Sequence, residues 1–97
     1  MTARGPQHRL SVEVWRDDER VAAATCFFSA FEDDGGQRRW RGFLSDVDPA
    51  GSIEAGAYRL VLPSSGRADI EVTEVRTEPR EQAIFRGRGE PPLIEDD

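Results

Sequence analysis

His8 and Cys26 are the only histidine and the only cysteine in the chain, so any base-and-thiol pair must be built from them. A hydrolytic centre needs its base within hydrogen-bond reach of the nucleophile. His8 stands at the head of the chain, after residues without periodicity, and reads as a solvated residue or as the edge of a first strand. Cys26 lies in the apolar run Val21–Cys26–Phe28 and reads as a buried, reduced thiol. One Cys and one His cannot supply the three or four ligands of a zinc site, so no metal and no cofactor are expected.

Carboxylates are more plentiful. Asp46-Val47-Asp48-Pro49-Ala50-Gly51 begins like a calcium loop, but Ala50 and Ala57 stand where oxygen ligands belong. A turn is the better reading. Asp69 and Glu71 share one face of an alternating segment and could flank a substrate as acid and base, although acid alternating with aliphatic is also the pattern of any half-exposed strand. Gly87-Arg88-Gly89 lacks the lysine and the following helix of a phosphate loop. These residues keep a small-molecule-binding or carboxylate-based enzyme domain as one alternative, while the expected reading is non-catalytic.

The basic residues form another candidate group. All thirteen are arginine and there is no lysine, against nineteen acids, for a net charge of −6. Arg38, Arg39 and Arg41 stand beside Trp40 and Phe43, a mixture of cations and rings such as single-strand nucleic-acid binders use. Glu32, Asp33 and Asp34 lie just upstream and neutralise them locally, so nucleic acid is the disfavoured partner and a single-stranded nucleic-acid-binding domain is the other alternative.

The elements that must position these groups are strands. Tyr58, Leu60 and Leu62 alternate with Arg59 and Val61. Ala68, Ile70 and Val72 form a second such series across the turn-forming Pro63-Ser64-Ser65-Gly66, which predicts an antiparallel hairpin with one buried face. Leu10, Val12 and Val14 alternate likewise and leave Trp15 on the opposite face. The segment 21–26 could begin a helix capped by Asp17, but the aromatic residues that follow favour a strand. For the next hairpin, a two-residue loop at Gly35-Gly36 sets Asp33 against Arg38, Glu32 against Arg39, Phe31 against Trp40, Phe28 against Phe43 and Phe27 against Leu44. Pairs of these kinds contribute about 0.2–1 kcal/mol each.

Six strands are predicted, near 9–16, 21–32, 38–46, 57–62, 67–75 and 82–87. Segment 21–31 is apolar on both sides, which an open sheet would leave half wet. The expected fold class is therefore all-β: a small six-stranded antiparallel barrel, or two orthogonally packed layers, of SH3-like or OB-like architecture. Residues 9–87 form this single domain, after a leader at 1–8 and before an acidic tail at 88–97 that carries Pro91-Pro92-Leu93-Ile94. No window approaches the roughly 20 apolar residues of a membrane helix, and a cytoplasmic location is expected. Function then falls to binding a protein partner, or a second copy, through a sheet edge, Trp15 or the tail. The residues singled out for partner binding are Trp15, Arg38, Arg39, Arg41, Leu93 and Ile94.

Overall fold

In the computed structural model, which describes residues 7–63 and 66–92, the chain forms strands β1 (His8–Arg16), β2 (Glu19–Glu32), β3 (Arg38–Asp48), β4 (Gly56–Val61), β5 (Arg67–Arg76) and β6 (Gln82–Arg88). They close into one antiparallel barrel in the order β1-β2-β3-β6-β5-β4, with β4 returning to β1. The closed barrel, not a pair of orthogonal layers, is thus how the long edges are removed. Segment 21–26 is strand throughout. Among the described residues no helix is long and apolar enough to cross a membrane.

Period-two alternation decides which side chains fill the interior. Val12 and Val14 of β1, Ala22, Ala24, Cys26 and Phe28 of β2, Trp40 and Leu44 of β3, Tyr58 and Leu60 of β4, Ala68, Ile70 and Val72 of β5, and Ala83 and Phe85 of β6 are all buried. Small residues face large ones, as a tapering barrel of this size requires. At one end Trp40 meets Phe28 and Phe85 edge-on, with ring centroids 5.4 and 5.5 Å apart. Gly87 leaves the space that the indole occupies, since a Cβ there would sit 1.9 Å from Trp40 Cε2. At the other end the hydroxyl of buried Tyr58 accepts the Glu54 N–H at 3.0 Å, pinning the β3–β4 connection.

The β2–β3 hairpin departs from the predicted register by one residue. Glu32 pairs with Arg38, Phe31 with Arg39, Ala30 with Trp40, Phe28 with Gly42, Phe27 with Phe43 and Cys26 with Leu44. The cause is the loop. Gly36 N–H donates to Asp33 O at 2.9 Å, Asp33 N–H donates to Gln37 O at 3.0 Å, and Gly36 takes a left-handed φ of 79°. This is a three-residue connection, a type I turn followed by a left-handed bulge residue, and not the two-residue primed turn. Asp33 favours it because its Oδ1 accepts N–H groups from Gly35 and Gln37, at 2.9 and 3.0 Å.

Strand β3 also runs further than predicted, to Asp48. Asp46, with φ 52°, shifts the pairing between Thr25 and Ala23, as an inserted bulge residue does. The D-x-D pair therefore lies within a strand, ahead of the turn. Its two acids are both exposed.

Candidate functional site

With one set of β2 side chains inside, the other set must face solvent, and it is also apolar. Phe27, Ser29 and Phe31 point outward from β2 beside Arg39, Arg41 and Phe43 of β3. One row runs across four strands through Arg9, Phe27, Phe43 and Ile84, each registered against the next. The Phe27 and Phe43 rings stack at 4.9 Å with an interplanar angle of 18°. Arg9 lies over Phe27 at 5.7 Å and Arg41 over Phe31 at 5.0 Å, both within cation–π range. Phe31 is 40% exposed, the one large apolar side chain among the described residues that stands this far into solvent.

The charges around this face fall into two groups. Arg39 donates to Asp33 Oδ2 at 2.6 Å and Arg86 to Glu71 Oε1 at 2.6 Å, so their charges are matched. The Arg39 contact, with the Gln37 and Gly35 N–H groups, holds the Asp33 carboxyl below the usual carboxylate range. Arg9, Arg38 and Arg41 have no carboxylate within ion-pair distance among the described residues. The result is an aromatic strip with uncompensated guanidinium groups along its margin.

Trp15 occupies a different surface. It faces outward from β1, half-buried, and its Nε1–H donates to Glu13 Oε1 at 3.0 Å. It walls a groove of about 760 Å³ together with Asp17, Asp18, Arg59, Asp69 and Arg88. Arg59 in that groove is already paired with Asp69 at 3.1 Å. Acids and arginines stand here around Ala57, Tyr58 and Ile70, which also line the groove.

The predicted residues therefore separate. Arg39, Arg41 and Phe43 join the aromatic face, and Arg38 lies at its loop end. Trp40 does not belong to it: the one-residue register change turns the indole into the barrel, where it is 1% exposed and cannot stack on a ligand. Its Nε1–H has no partner among the described residues. Leu93 and Ile94 lie outside the described residues. Phe27 and Phe31, the centre of the face, were not singled out beforehand, although the two-sided apolar character of β2 was their signal.

The chemistry-bearing residues are dispersed. Cys26 is buried, and burial pushes its thiol up to about 12. His8 is the first residue of β1, its ring 5.1 Å from that of Phe28, and not a tail residue. Asp69 and Glu71 do share a face, but each is engaged by a guanidinium. Among the described residues no group of three or more His, Cys, Asp or Glu could hold a metal ion. No protein family, no curated protein and no solved structure matches the chain.

Proposed function

We propose that the chain is a non-catalytic interaction module of the cytoplasm that binds another protein chain through the outer face of β2 and β3. The observation that carries this reading is the row of outward phenylalanines, with Phe31 40% exposed, on a barrel whose interior already holds a complete core. Protein interfaces are enriched in aromatic residues and arginine, and a few such anchors supply most of the binding energy. Arg9 and Arg41, laid over rings, can turn to a partner's carboxylates without losing their aromatic support. Trp15 is a secondary surface in this reading, whereas the sheet edge expected from the sequence is taken up by closure of the barrel.

The test is affinity capture from the source cells with the intact chain, with Phe31→Ser/Phe43→Ser, and with Trp15→Ala, alongside a mass measurement of the isolated protein. A protein partner, or a self-associated species, should be held by the intact chain and by Trp15→Ala and be lost from the double variant. Retention by the double variant would move the binding surface elsewhere.

A second reading has one observation in its favour: Arg9 and Arg41, laid over the rings of Phe27 and Phe31, are a pairing of cation and ring that single-stranded nucleic-acid binders also use. The net charge of −6 opposes it. Oligonucleotide binding is expected to be undetectable at near-physiological salt, where nonspecific binders reach about 10⁻⁴ to 10⁻⁶ M. A steeply salt-dependent affinity tighter than about 10 µM would put nucleic acid first.

A further inference from the structure

We infer that the β2–β3 face reads an extended acidic segment of its partner, with two carboxylates four residues apart and an aliphatic side chain midway between them. This rests on the protein-binding reading above and names the partner's chemistry at that same surface.

Acids are missing from this part of the barrel. The chain has nineteen, yet none falls in residues 8–12, 25–31, 39–43 or 82–86, the stretches of β1, β2, β3 and β6 that carry the face. Elsewhere outward arginines meet carboxylates, as Arg59 meets Asp69 and Arg86 meets Glu71. Arg9 and Arg41 are laid over rings instead, with no carboxylate in ion-pair range among the described residues.

The rings are stacked in a way that suits a carboxylate. Phe27 has Arg9 on its β1 side and Phe43 on its β3 side, so both of its faces are taken and its edge is left to a ligand. Arg41 covers a face of Phe31 in the same manner. An aromatic edge is the positive part of the ring's quadrupole, and a guanidinium stacked on a ring keeps its fork of N–H groups free for a bidentate carboxylate. A nucleobase needs an open ring face, so the same geometry ranks single-stranded nucleic acid below an acidic peptide.

Spacing sets the pattern of the segment. Phe27 and Phe31 are four residues apart on one face of β2, so the guanidinium groups over them stand roughly 13 Å apart at about 3.3 Å per residue. An extended partner repeats that distance between its residues i and i+4, whose side chains share a face. Its residue i+2 then falls over Ser29, a small side chain between the two rings.

The test titrates the full chain, isotope-labelled, with the peptide Gly-Ser-Glu-Gly-Leu-Gly-Glu-Gly-Ser. Binding should shift the signals of Arg9, Phe27, Phe31 and Arg41, leave Asp17 and Arg59 unmoved, and weaken in high salt, which screens exposed charges. Replacing both glutamates by glutamine, or moving them one residue closer together, should weaken binding by about tenfold or more, the worth of one hydrogen bond to a charged group. Arg41→Glu should lose the peptide and gain affinity for one with lysine in place of a glutamate, which a misfolded variant could not do. Equal binding of the glutamine or the closer-spaced peptide overturns the inference. So do shifts centred on Trp15, or oligo(dT) displacing the peptide at near-physiological salt. Should the peptide fail to bind while Phe31→Ser/Phe43→Ser still abolishes partner capture, this inference alone falls. Should partner capture survive that double variant, the protein-binding reading falls with it.

Discussion

Gly87→Ala is the sharpest perturbation that the barrel offers. The new Cβ would lie 1.9 Å from Trp40 Cε2, 2.0 Å from Nε1 and 2.2 Å from Cδ2, where carbon atoms ordinarily rest about 3.5–4.0 Å apart. The ring must therefore retreat by more than 1 Å, or the strands must part. Trp40 is 1% exposed and wedged between Phe28 and Phe85, so retreat sacrifices both edge-on contacts. Overpacking costs about 1–3 kcal/mol and each of the two aromatic pairs contributes about 0.5–1.5 kcal/mol, which together give roughly 2–6 kcal/mol. Gly87 does not have a positive φ, so none of this cost is conformational. At roughly 4–8 °C per kcal/mol for a domain of this size, the thermal midpoint should drop by about 8 °C or more. Urea unfolding followed by tryptophan fluorescence and far-UV dichroism measures the cost. In a Trp40→Phe background the same substitution should cost at least about 1 kcal/mol less, because the smaller ring yields and coupling between touching residues is not additive. Equal cost in both backgrounds, or a Gly87→Ala protein within about 0.5 kcal/mol of the parent, would show that the indole does not lie on Gly87.

Three further outcomes are expected. Cys26 should react with thiol reagents at pH 8 only as fast as the barrel opens; its thiol is raised by burial to about 12 from 9.0, so its contribution to stability is complete below pH 9 and declines as pH rises toward about 12, a decline that Cys26→Ala should lack in denaturant titrations. The Asp33 carboxyl is lowered in the folded chain, so the support it gives the β2–β3 loop is present above the ordinary carboxylate range of about 4 and is lost as pH falls through the lowered value. Protection of the Gly35 and Gln37 amides, relative to their intrinsic exchange rates, should fall on acidification, and Asp33→Asn should flatten that dependence. Phe31→Ser should change unfolding stability by less than about 1 kcal/mol while removing partner binding, because the ring is 40% exposed; a large loss of stability would mean that Phe31 belongs to the core.

The strands were legible in the sequence, most of them because inside and outside fall on alternate residues and β2 because the aromatic residues that follow its alanines are strand formers. Leu10, Val12 and Val14 fall inside and Trp15 outside, as alternation requires. The hairpin register was not legible, because it turns on whether the loop holds two residues or three. Asp33 decides that through side-chain hydrogen bonds to Gly35 and Gln37, and these compete with the charge and aromatic pairs that favour the other register. One residue of register is the difference between Trp40 on a binding face and Trp40 in the core. The same ambiguity hid the candidate site. An apolar residue on each side of β2 marks a strand that is wanted on both faces, but alternation alone does not say that closure buries only the even-numbered set and leaves Phe27 and Phe31 to solvent.

The barrel is two three-stranded meanders, β1–β2–β3 and β4–β5–β6, joined along two seams of unequal length. The β3–β6 seam registers Arg41–Ser45 against Gln82–Arg86, whereas the β1–β4 seam, among the described residues, registers Glu13, Val14 and Trp15 against Val61, Leu60 and Arg59. Each meander can form from contacts near in sequence, whereas both seams join residues roughly 40 apart. Closure of the β1–β4 seam therefore spends a similar loop entropy on fewer hydrogen bonds. The molecule should therefore breathe along this line, with the amides of Glu13–Trp15 and Arg59–Val61 exchanging ahead of those in the β2–β3 hairpin. The aromatic face, seated on that hairpin, would then keep its shape while the opposite side of the barrel opens and shuts.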